Sequence, residues 1–126
     1  MPNSVVYSSQ APEPIGPYSQ AVQAGNMLFV SGQIAIDRST GNVITGSIPD
    51  ETHQVMKNLK AVLEAAGMDF SQVVKCSIFL KDMNNFPVVN EIYGQYFSST
   101  PPARETVEVS RLPKDVNVEI SCIAVK

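Results

Sequence analysis

The stretch NVEISCIAV, Asn117–Val125, decides the fold class because its residue types alternate. One parity carries Val118, Ile120, Cys122 and Ala124, all of them apolar. Successive side chains of a β-strand point to opposite faces of the sheet, so this parity predicts a face that packs into a core. The other parity begins polar and ends apolar: Asn117, Glu119, Ser121, Ile123 and Val125. A face in contact with water alone is more uniformly polar, and we therefore expect this second face to be partly covered.

Two segments upstream of this strand have helical patterns that can cover its apolar face. In the first, Asp50 is predicted as the N-cap and Gly67 as the residue that ends the helix. The second runs from about Phe86 to Phe97, and Pro87 suits its first turn. The apolar residues that recur at helical spacing are Val55, Leu59, Val62, Leu63 and Ala66 in the first helix and Val89, Tyr93, Tyr96 and Phe97 in the second.

The remaining strand patterns lie on both sides of the first helix. Gly25-Asn26 reverses the chain between two strands, and the second of these runs from about Met27 to Ile36. Gly32 lies inside that strand, which is typical of a β-bulge or of a close approach by a ligand or another backbone. Further strands are predicted near Val5–Tyr7, at Arg104–Val109, and at Val73–Leu80, where Val74, Cys76, Ile78 and Leu80 are expected to share a face.

The order of the main elements is ββαβαββ, with helices between the strands. This order predicts one α+β domain over residues 1–126, in which two helices pack on one face of a single mixed β-sheet. Two helices cover only one face of such a sheet. Because the second face also carries apolar residues, we expect it to meet another copy of the chain. The pattern predicts a homo-oligomer and leaves its order open.

Composition argues against several classes of protein. The 126 residues carry a net charge of -3 and no block of Lys or Arg, which argues against nucleic-acid binding because phosphate contacts dominate that affinity. His53 is the only histidine, and no set of Cys, His and carboxylate residues has the spacing of a metal site, so we expect no metal. No apolar run approaches the roughly twenty residues that cross a bilayer. With Cys76 and Cys122 in apolar surroundings, the sequence predicts a cytoplasmic protein with two buried, reduced thiols.

Two charged residues stand inside or at the start of predicted strands. Arg104 opens its strand and shares a parity with Thr106, while Glu105 faces the other way. A planar guanidinium at a strand entrance can hold a small carboxylate at two points. Glu119 lies between Val118 and Ile120, so a covered face would leave its carboxylate partly desolvated. For both residues, an ordinary ion pair or a solvated sheet edge is the alternative.

The chain resembles the RidA family, also called the YjgF family, over nearly its whole length. Several motifs agree at once and in order, which makes the resemblance specific. They are IGPYSQAV (Ile15–Val22), VSGQIAID (Val30–Asp37), NLKAVLEAAG (Asn58–Gly67), PPARETVEV (Pro101–Val109) and RLPKDVNVEISCIAV (Arg111–Val125).

The resemblance implies a chorismate-mutase-like α+β fold and a homotrimer whose sheets form a central barrel, with active sites between subunits. It also implies an activity. Similar members hydrolyse 2-aminoacrylate-type enamines and 2-imino acids, such as 2-iminopropanoate and 2-iminobutanoate, to 2-keto acids and ammonia. They use no metal and no organic cofactor, and we expect none here.

The resemblance further implies roles for individual residues. Arg104 corresponds to the arginine that grips the substrate carboxylate, and Glu119 to the glutamate that orients or activates the attacking water. Tyr18 corresponds to a cleft tyrosine, Gly32 to a glycine whose backbone lines the pocket, and Asn90 to a polar helix residue at the site.

The chain departs from many relatives at Thr106, which stands where they carry a cysteine. If the chain has the activity of the family, a thiol is not required at this position, and the backbone of Thr106 can still serve the substrate. Glu105 adds a negative charge beside Arg104, although its opposite parity is expected to aim it elsewhere.

Other functions compete with deamination. Some relatives that lack the glutamate are non-catalytic, and a regulatory protein that binds small carboxylates is one alternative. RNA cleavage, ascribed to some members, is another, although the net charge of -3 disfavours it. The sequence says nothing for or against a chaperone role.

Overall fold

The computed structural model describes residues 3–126 and confirms the predicted α+β class. Within these residues six strands form one sheet, and two α-helices accompany it. The elements are β1 Ser4–Val6, β2 Ala21–Ala24, β3 Met27–Gln33, α1 Ile48–Ala65, β4 Val73–Leu80, α2 Phe86–Gly94, β5 Ala103–Glu108 and β6 Val118–Val125. The short β1 joins the sheet, so the full order is βββαβαββ.

The strand order in the sheet is β1-β2-β3-β6-β4-β5. The C-terminal strand β6 is therefore inserted between β3 and β4, and it is antiparallel to both. Only β4 and β5 run parallel. Parallel neighbours need a crossover connection, and α2 supplies it. The predicted mixed sheet is thus confirmed, with β6 at its centre and β5 at one edge.

The helix-covered face of the sheet forms the core. Residues of β6 alternate between buried and half-buried along its whole length, as the sequence predicts. From α1, Val55, Leu59 and Val62 are fully buried against this face. The cysteines Cys76 and Cys122 are free and buried, also as predicted. The hydrophobic stripe of α1 and the even-numbered residues of β6 together hold the core by removing apolar surface from water.

No α-helix among residues 3–126 covers the opposite face of the sheet, which we call the open face. The part of it around Phe79 is covered by Leu112 and Val116, from the segment that precedes β6. A cross-strand row on it follows the register Val5, Val22, Phe29 and Ile123. Val5 is 70% exposed and Phe29 is 41% exposed. An apolar row of this kind is what the sequence predicts for a surface that meets another copy of the chain, and that oligomer stays a prediction.

Local details differ from the sequence predictions in the helix boundaries. The N-cap of α1 is Ser47 rather than Asp50, since the Ser47 side chain accepts a hydrogen bond from the Asp50 backbone N–H at 3.2 Å and Pro49 fits the first turn. Helix α2 ends at Gly94, well before Phe97. Glycine destabilises a helix interior, which favours termination there.

Val74 lies elsewhere than predicted, and His53 has a partner that the sequence pattern does not indicate. Val74 does not share the buried face of Cys76, because the register of β4 shifts between Val73 and Lys75 and leaves Val74 46% exposed. His53 is half-buried, and its Nδ1 lies 2.7 Å from the Tyr96 hydroxyl. Neither residue touches the site described below. Across the described part of the chain, no helix combines the length and apolar character that a membrane span requires.

Candidate active site

The predicted site residues fall into two groups on opposite faces of the sheet. We call the first the Arg104 cluster, which consists of Arg104, Asn90 and Thr106 with the neighbouring rings of Phe86 and Tyr93. The second is the Glu119 pocket, which consists of Glu119, Gly32 and Tyr18 with the cavity that they line.

The register of the sheet places the two groups on different faces. Arg104 is the partner of Cys76 on β4, and Cys76 is the partner of Cys122 on β6. Both cysteines are buried under the helices, so Arg104 belongs to the helix-covered face. Glu119 lies three residues from Cys122 on the same strand and therefore has the opposite parity. Its side chain emerges on the open face.

In the Arg104 cluster, helix α2 fixes the guanidinium. The Nη1 of Arg104 donates a hydrogen bond to Asn90 Oδ1 at 2.7 Å. Its Cζ lies 5.4 Å from the centre of the Phe86 ring and 5.2 Å from that of Tyr93. Residues spaced four and three apart share one face of a helix, which is why α2 presents these groups together. Cation–π attraction and a charge-assisted hydrogen bond therefore hold the arginine in place.

Two buried polar atoms beside this arginine have no hydrogen-bond partner of standard geometry, namely Tyr93 Oη and Thr106 Oγ1. Burial raises the pKa of the Tyr93 hydroxyl far above its usual range, so the group stays neutral and keeps its proton. Burial also raises the pKa of the Cys76 thiol close by. An unpaired buried hydroxyl is costly in a folded protein, and the cluster thus retains unused hydrogen-bonding capacity next to a cation.

The residue after the arginine confirms the parity prediction. Glu105 lies on the open face, where its carboxylate accepts a hydrogen bond from the Ser77 hydroxyl and pairs with Lys75 Nζ at 3.0 Å. The Ser77 hydrogen bond, with help from Lys75, holds the pKa of Glu105 below its usual value. The charge of Glu105 is therefore engaged away from Arg104, which leaves the guanidinium free for an anion.

The Glu119 pocket is a cavity of about 380 Å³ on the open face. Gly32 forms its floor, within the register shift between Val30 and Gln33 that the sequence predicts as a bulge. A Cβ atom on Gly32 would lie 2.6 Å from Glu119 Oε2, closer than side chains tolerate. Glycine here lets the carboxylate lie against the backbone, and a larger residue would displace it. The rest of the wall is largely apolar, with Ile34 and Pro113 among the lining residues.

Glu119 itself is half-buried in this pocket. Burial raises the pKa of its carboxyl group above the usual value, because desolvation penalises the charged form. No cation or hydrogen-bond donor among residues 3–126 counteracts this effect. Among the residues that the structure describes, the Glu119 carboxylate thus has a raised pKa and no partner.

A buried glutamine anchors the loop that forms the rim of the pocket. Gln20 is 2% exposed; its side-chain oxygen accepts from the Ser8 N–H at 2.6 Å, and its Nε2 donates to the Pro12 carbonyl at 2.9 Å. These bonds hold the segment before Tyr18 beside the cavity. Tyr18 is 49% exposed at the rim, where its hydroxyl oxygen is 3.5 Å from the Ile15 N–H.

Sequence reasoning missed the residues that support the predicted ones. Phe86 and Tyr93 lie four residues before and three residues after Asn90, so they share its helix face. This spacing was the available signal that both rings lie near the arginine. Nothing in the local pattern pointed to Gln20 or Pro113, which come from distant segments. Among the described residues no group of three or more His, Cys, Asp and Glu side chains is placed to hold a metal ion.

Comparisons with known proteins show the family to which the chain belongs. Residues 8–126 match the family model described as endoribonuclease L-PSP. A RutC family protein of Pyrococcus horikoshii is 56% identical over 122 residues, covering 97% of each chain. A protein of Dermatophagoides farinae named 2-iminobutanoate/2-iminopropanoate deaminase is 48% identical, covering 98% of this chain and 97% of its own.

Among solved structures, the YjgF gene product of E. coli superposes with a TM-score of 0.93 at 44% identity, covering 98% of both chains. Sequence, fold and the length of the match agree, and the resemblance noted from the motifs is thereby confirmed. The chain belongs to the endoribonuclease L-PSP family, the family of YjgF and RidA.

Proposed function

We propose that this protein is a deaminase that hydrolyses 2-imino acids and their enamine tautomers to 2-keto acids and ammonia. The substrates are of the 2-aminoacrylate, 2-iminopropanoate and 2-iminobutanoate type, and the reaction uses no metal or organic cofactor. Residues 1–126 act as one domain, of which the structure describes 3–126, and we expect the protein to work in the cytoplasm. The name of the Dermatophagoides farinae relative supports this reaction.

The observation that carries the proposal is the separation of the Arg104 cluster from the Glu119 pocket. An anion clamp and a desolvated base are the two groups that hydrolysis of an imino acid needs, yet they lie on opposite faces of one sheet. A second subunit packed on the open face can bring its own Arg104 cluster to the first subunit's Glu119 pocket. We therefore propose a homotrimer with its active sites between subunits, as the apolar row on the open face favours.

In the proposed mechanism the cluster and the pocket act on different parts of the substrate. Arg104 binds the carboxylate at two points, and Asn90 together with the two aromatic rings keeps the guanidinium oriented. The backbone of Thr106 adds hydrogen bonds to the same end. Tyr18 closes the rim, and Gly32 lets the substrate approach the backbone. Such positioning lowers the barrier by fixing the imine carbon beside the base.

Glu119 serves as the base in this mechanism. Water attacks the protonated imine carbon while Glu119 accepts a proton from it, which gives a tetrahedral carbinolamine. Glu119 then gives this proton to the nitrogen and takes up the hydroxyl proton as the C–N bond breaks, so that the carbonyl forms and ammonia leaves. A carboxyl group whose pKa is raised by burial suits both proton transfers, because it gains and loses its proton at a pH nearer neutrality.

A complementation experiment tests the shared site directly. Arg104→Ala keeps an intact Glu119 pocket, and Glu119→Gln keeps an intact Arg104 cluster, so each variant alone is expected to be inactive. In mixed trimers assembled at random, about a quarter of the sites join the two intact parts, and activity should return to about that level. The assay follows loss of imine generated by an amino acid oxidase, and native mass spectrometry confirms mixing. Mixed trimers without activity would contradict a site shared between subunits.

The family description raises RNA cleavage as a second candidate. The net charge of -3 and the apolar walls of the Glu119 pocket oppose it, since RNA binding normally needs a basic surface. RNA cleavage by highly purified protein that is lost in Arg104→Ala would favour this candidate. Tight binding of 2-keto acids without turnover of imine would instead favour a non-catalytic carboxylate sensor.

A further inference from the structure

Helix α1 contains a buried carboxylate that the proposed chemistry does not use. Glu51, in the first turns of the helix, is fully buried. None of the ion pairs among residues 3–126 includes it. A buried carboxylate without a cation is expensive unless hydrogen bonds satisfy it. A carboxylate buried at this position in the core therefore needs hydrogen-bond donors placed around it.

All the donors to Glu51 come from the start of β6. Its Oε2 accepts from the backbone N–H of Asn117 at 2.7 Å and of Val118 at 3.1 Å. Its Oε1 accepts from the Asn117 side-chain Nδ2 at 2.7 Å. The carboxylate thus accepts hydrogen bonds from the backbone amides of Asn117 and Val118 and from the side chain of Asn117. It connects the N-terminal part of α1 to one point on the central strand.

The neighbouring strands hold this point of β6 on one side only. Pairing between β3 and β6 ends at the Gln33–Ile120 pair, so the residues before Ile120 lack a β3 partner. On the other side β4 pairs as far as Val118, and Lys81 N–H donates to the Asn117 carbonyl at 3.0 Å. Glu51 supplies hydrogen-bond acceptors to residues of the β6 entry that lie beyond the end of the β3–β6 pairing. Glu119, the next residue along, is the base of the proposed reaction.

We infer that Glu51 is a positioning residue that fixes the entry of β6 and so holds the Glu119 carboxylate against Gly32. The inference rests on the proposed function for its kinetic consequence, although the placement can be measured without it. Glu51 acts from the helix-covered face on the backbone, while the Glu119 side chain emerges on the open face. The two carboxylates are thereby linked through two peptide units and not through direct contact.

The backbone of Glu51 is itself well fixed, which suits this role. Its N–H donates to the Ser47 carbonyl at 3.0 Å, and Ser47 caps the helix through its side chain. Farther along the same face of α1, Val55 and Leu59 are fully buried in the core. A rigid helix end therefore supports the hydrogen bonds to β6, and a small displacement of a catalytic group is known to be costly in rate.

The test compares substitutions at Glu51 with a matched core variant. Glu51→Ala removes the acceptors, and kcat for imine hydrolysis should fall by about tenfold to a hundredfold. KM should change by less than about twofold, because the Arg104 cluster that binds the substrate carboxylate is on β5 and α2. Glu51→Gln keeps an oxygen for the two amides and should restore most of kcat. Val62→Ala, which only removes core contacts of α1, should lower the melting temperature and leave kcat unchanged.

A second readout separates this inference from the proposed function. Carbon-13 NMR of the Glu119 carboxyl reports its environment whether or not the protein hydrolyses imines. In Glu51→Ala the carboxyl should become better hydrated, and its pKa should fall back toward the ordinary value, whereas Glu51→Gln and Val62→Ala should keep the wild-type titration. If the wild-type protein has no deaminase activity, the proposed function is wrong. The NMR titration would still show whether Glu51 positions the Glu119 carboxylate.

The outcome against the inference is equally specific. Unchanged kcat and an unchanged Glu119 titration in Glu51→Ala would show that β6 is positioned without Glu51. If Glu51→Ala fails to fold, Asn117→Ala removes only the side-chain bond and should lower kcat by a smaller factor in the same direction. Equal loss of kcat in Val62→Ala would reduce Glu51 to a structural residue and overturn the inference.

Discussion

The Arg104 cluster and the Glu119 pocket differ in how far a single chain completes them. Helix α2 gives Arg104 an amide oxygen and two aromatic rings, so the cation is oriented before any ligand arrives. Glu119 has a cavity and a glycine floor but no cation or donor from its own chain among residues 3–126. The guanidinium is therefore preorganised by local structure, whereas the Glu119 carboxylate has no such partners among residues 3–126.

The largest expected effect comes from removing the cation. Arg104→Ala should lower kcat/KM for 2-iminobutanoate by at least about a hundredfold, because the substrate carboxylate loses its charged partner. Arg104→Lys should recover little, since an ammonium cannot make the planar two-point contact. The measurement is imine loss with oxidase-generated substrate. Arg111→Ala, at a side chain that is 80% exposed, is the matched control and should behave as wild type. Full activity in Arg104→Ala would remove the cluster from the mechanism.

A smaller but still large effect is expected at the floor of the Glu119 pocket. Gly32→Ala places a methyl group 2.6 Å from the present position of Glu119 Oε2, so the carboxylate must move. We expect kcat to fall by about tenfold to a hundredfold, with KM much less affected. Gly46→Ala, which adds a methyl with no neighbour within 4 Å, controls for the substitution itself. Steady-state kinetics of both variants measure this, and unchanged kcat in Gly32→Ala would contradict the role of the floor.

Loosening the arginine without removing it should have a moderate effect. Asn90→Ala deletes the acceptor 2.7 Å from Arg104 Nη1 and leaves both rings in place. KM should rise by about tenfold, the usual scale for one hydrogen bond to a charged group, while kcat changes little. Glu91→Ala, at the exposed next residue of α2, serves as the control. A fall in kcat at constant KM would instead assign Asn90 to the chemical step.

The smallest expected change is a shift of the Glu119 pKa, and it tests whether the cluster and the pocket meet. Burial raises this pKa, and a neighbouring guanidinium would oppose burial by favouring the charged form. In the assembled protein Arg104→Gln should therefore raise the Glu119 pKa further, as measured by carbon-13 NMR titration. Activity of the wild type should fall as the pH drops through the Glu119 pKa, since the base becomes protonated. An identical Glu119 titration in wild type and Arg104→Gln would show that Arg104 and Glu119 do not come close together in the assembled protein.

Much of the local structure could be predicted because its causes are local. The two-residue period of β6 predicted its buried face, and the helical spacing of Val55, Leu59 and Val62 predicted the stripe of α1. Parity along β5 predicted that Glu105 would turn away from Arg104. A glycine inside a strand predicted the register shift at Gly32. These features follow from backbone geometry and burial within a few residues.

Other local details escaped prediction because competing signals were close in strength. Ser47 and Asp50 are both good N-caps, and the choice depended on Pro49 fitting the first turn of the longer helix. The shift between Val73 and Lys75 has no sequence signal, since Val74 suits a buried strand position as well as an exposed one. At the candidate site, helical spacing could have predicted the supporting residues Phe86 and Tyr93. No local pattern could have predicted Gln20.

The amino-acid sequence predicted the α+β class, the faces of most strand residues and the residue types of the candidate site. It did so because side-chain alternation and helical periodicity depend only on neighbours along the chain. The tertiary structure alone decided that β6 lies between β3 and β4 and that Arg104 and Glu119 emerge on opposite faces. Strand order depends on which surfaces the whole chain can bury together, and this is a property of contacts between distant segments.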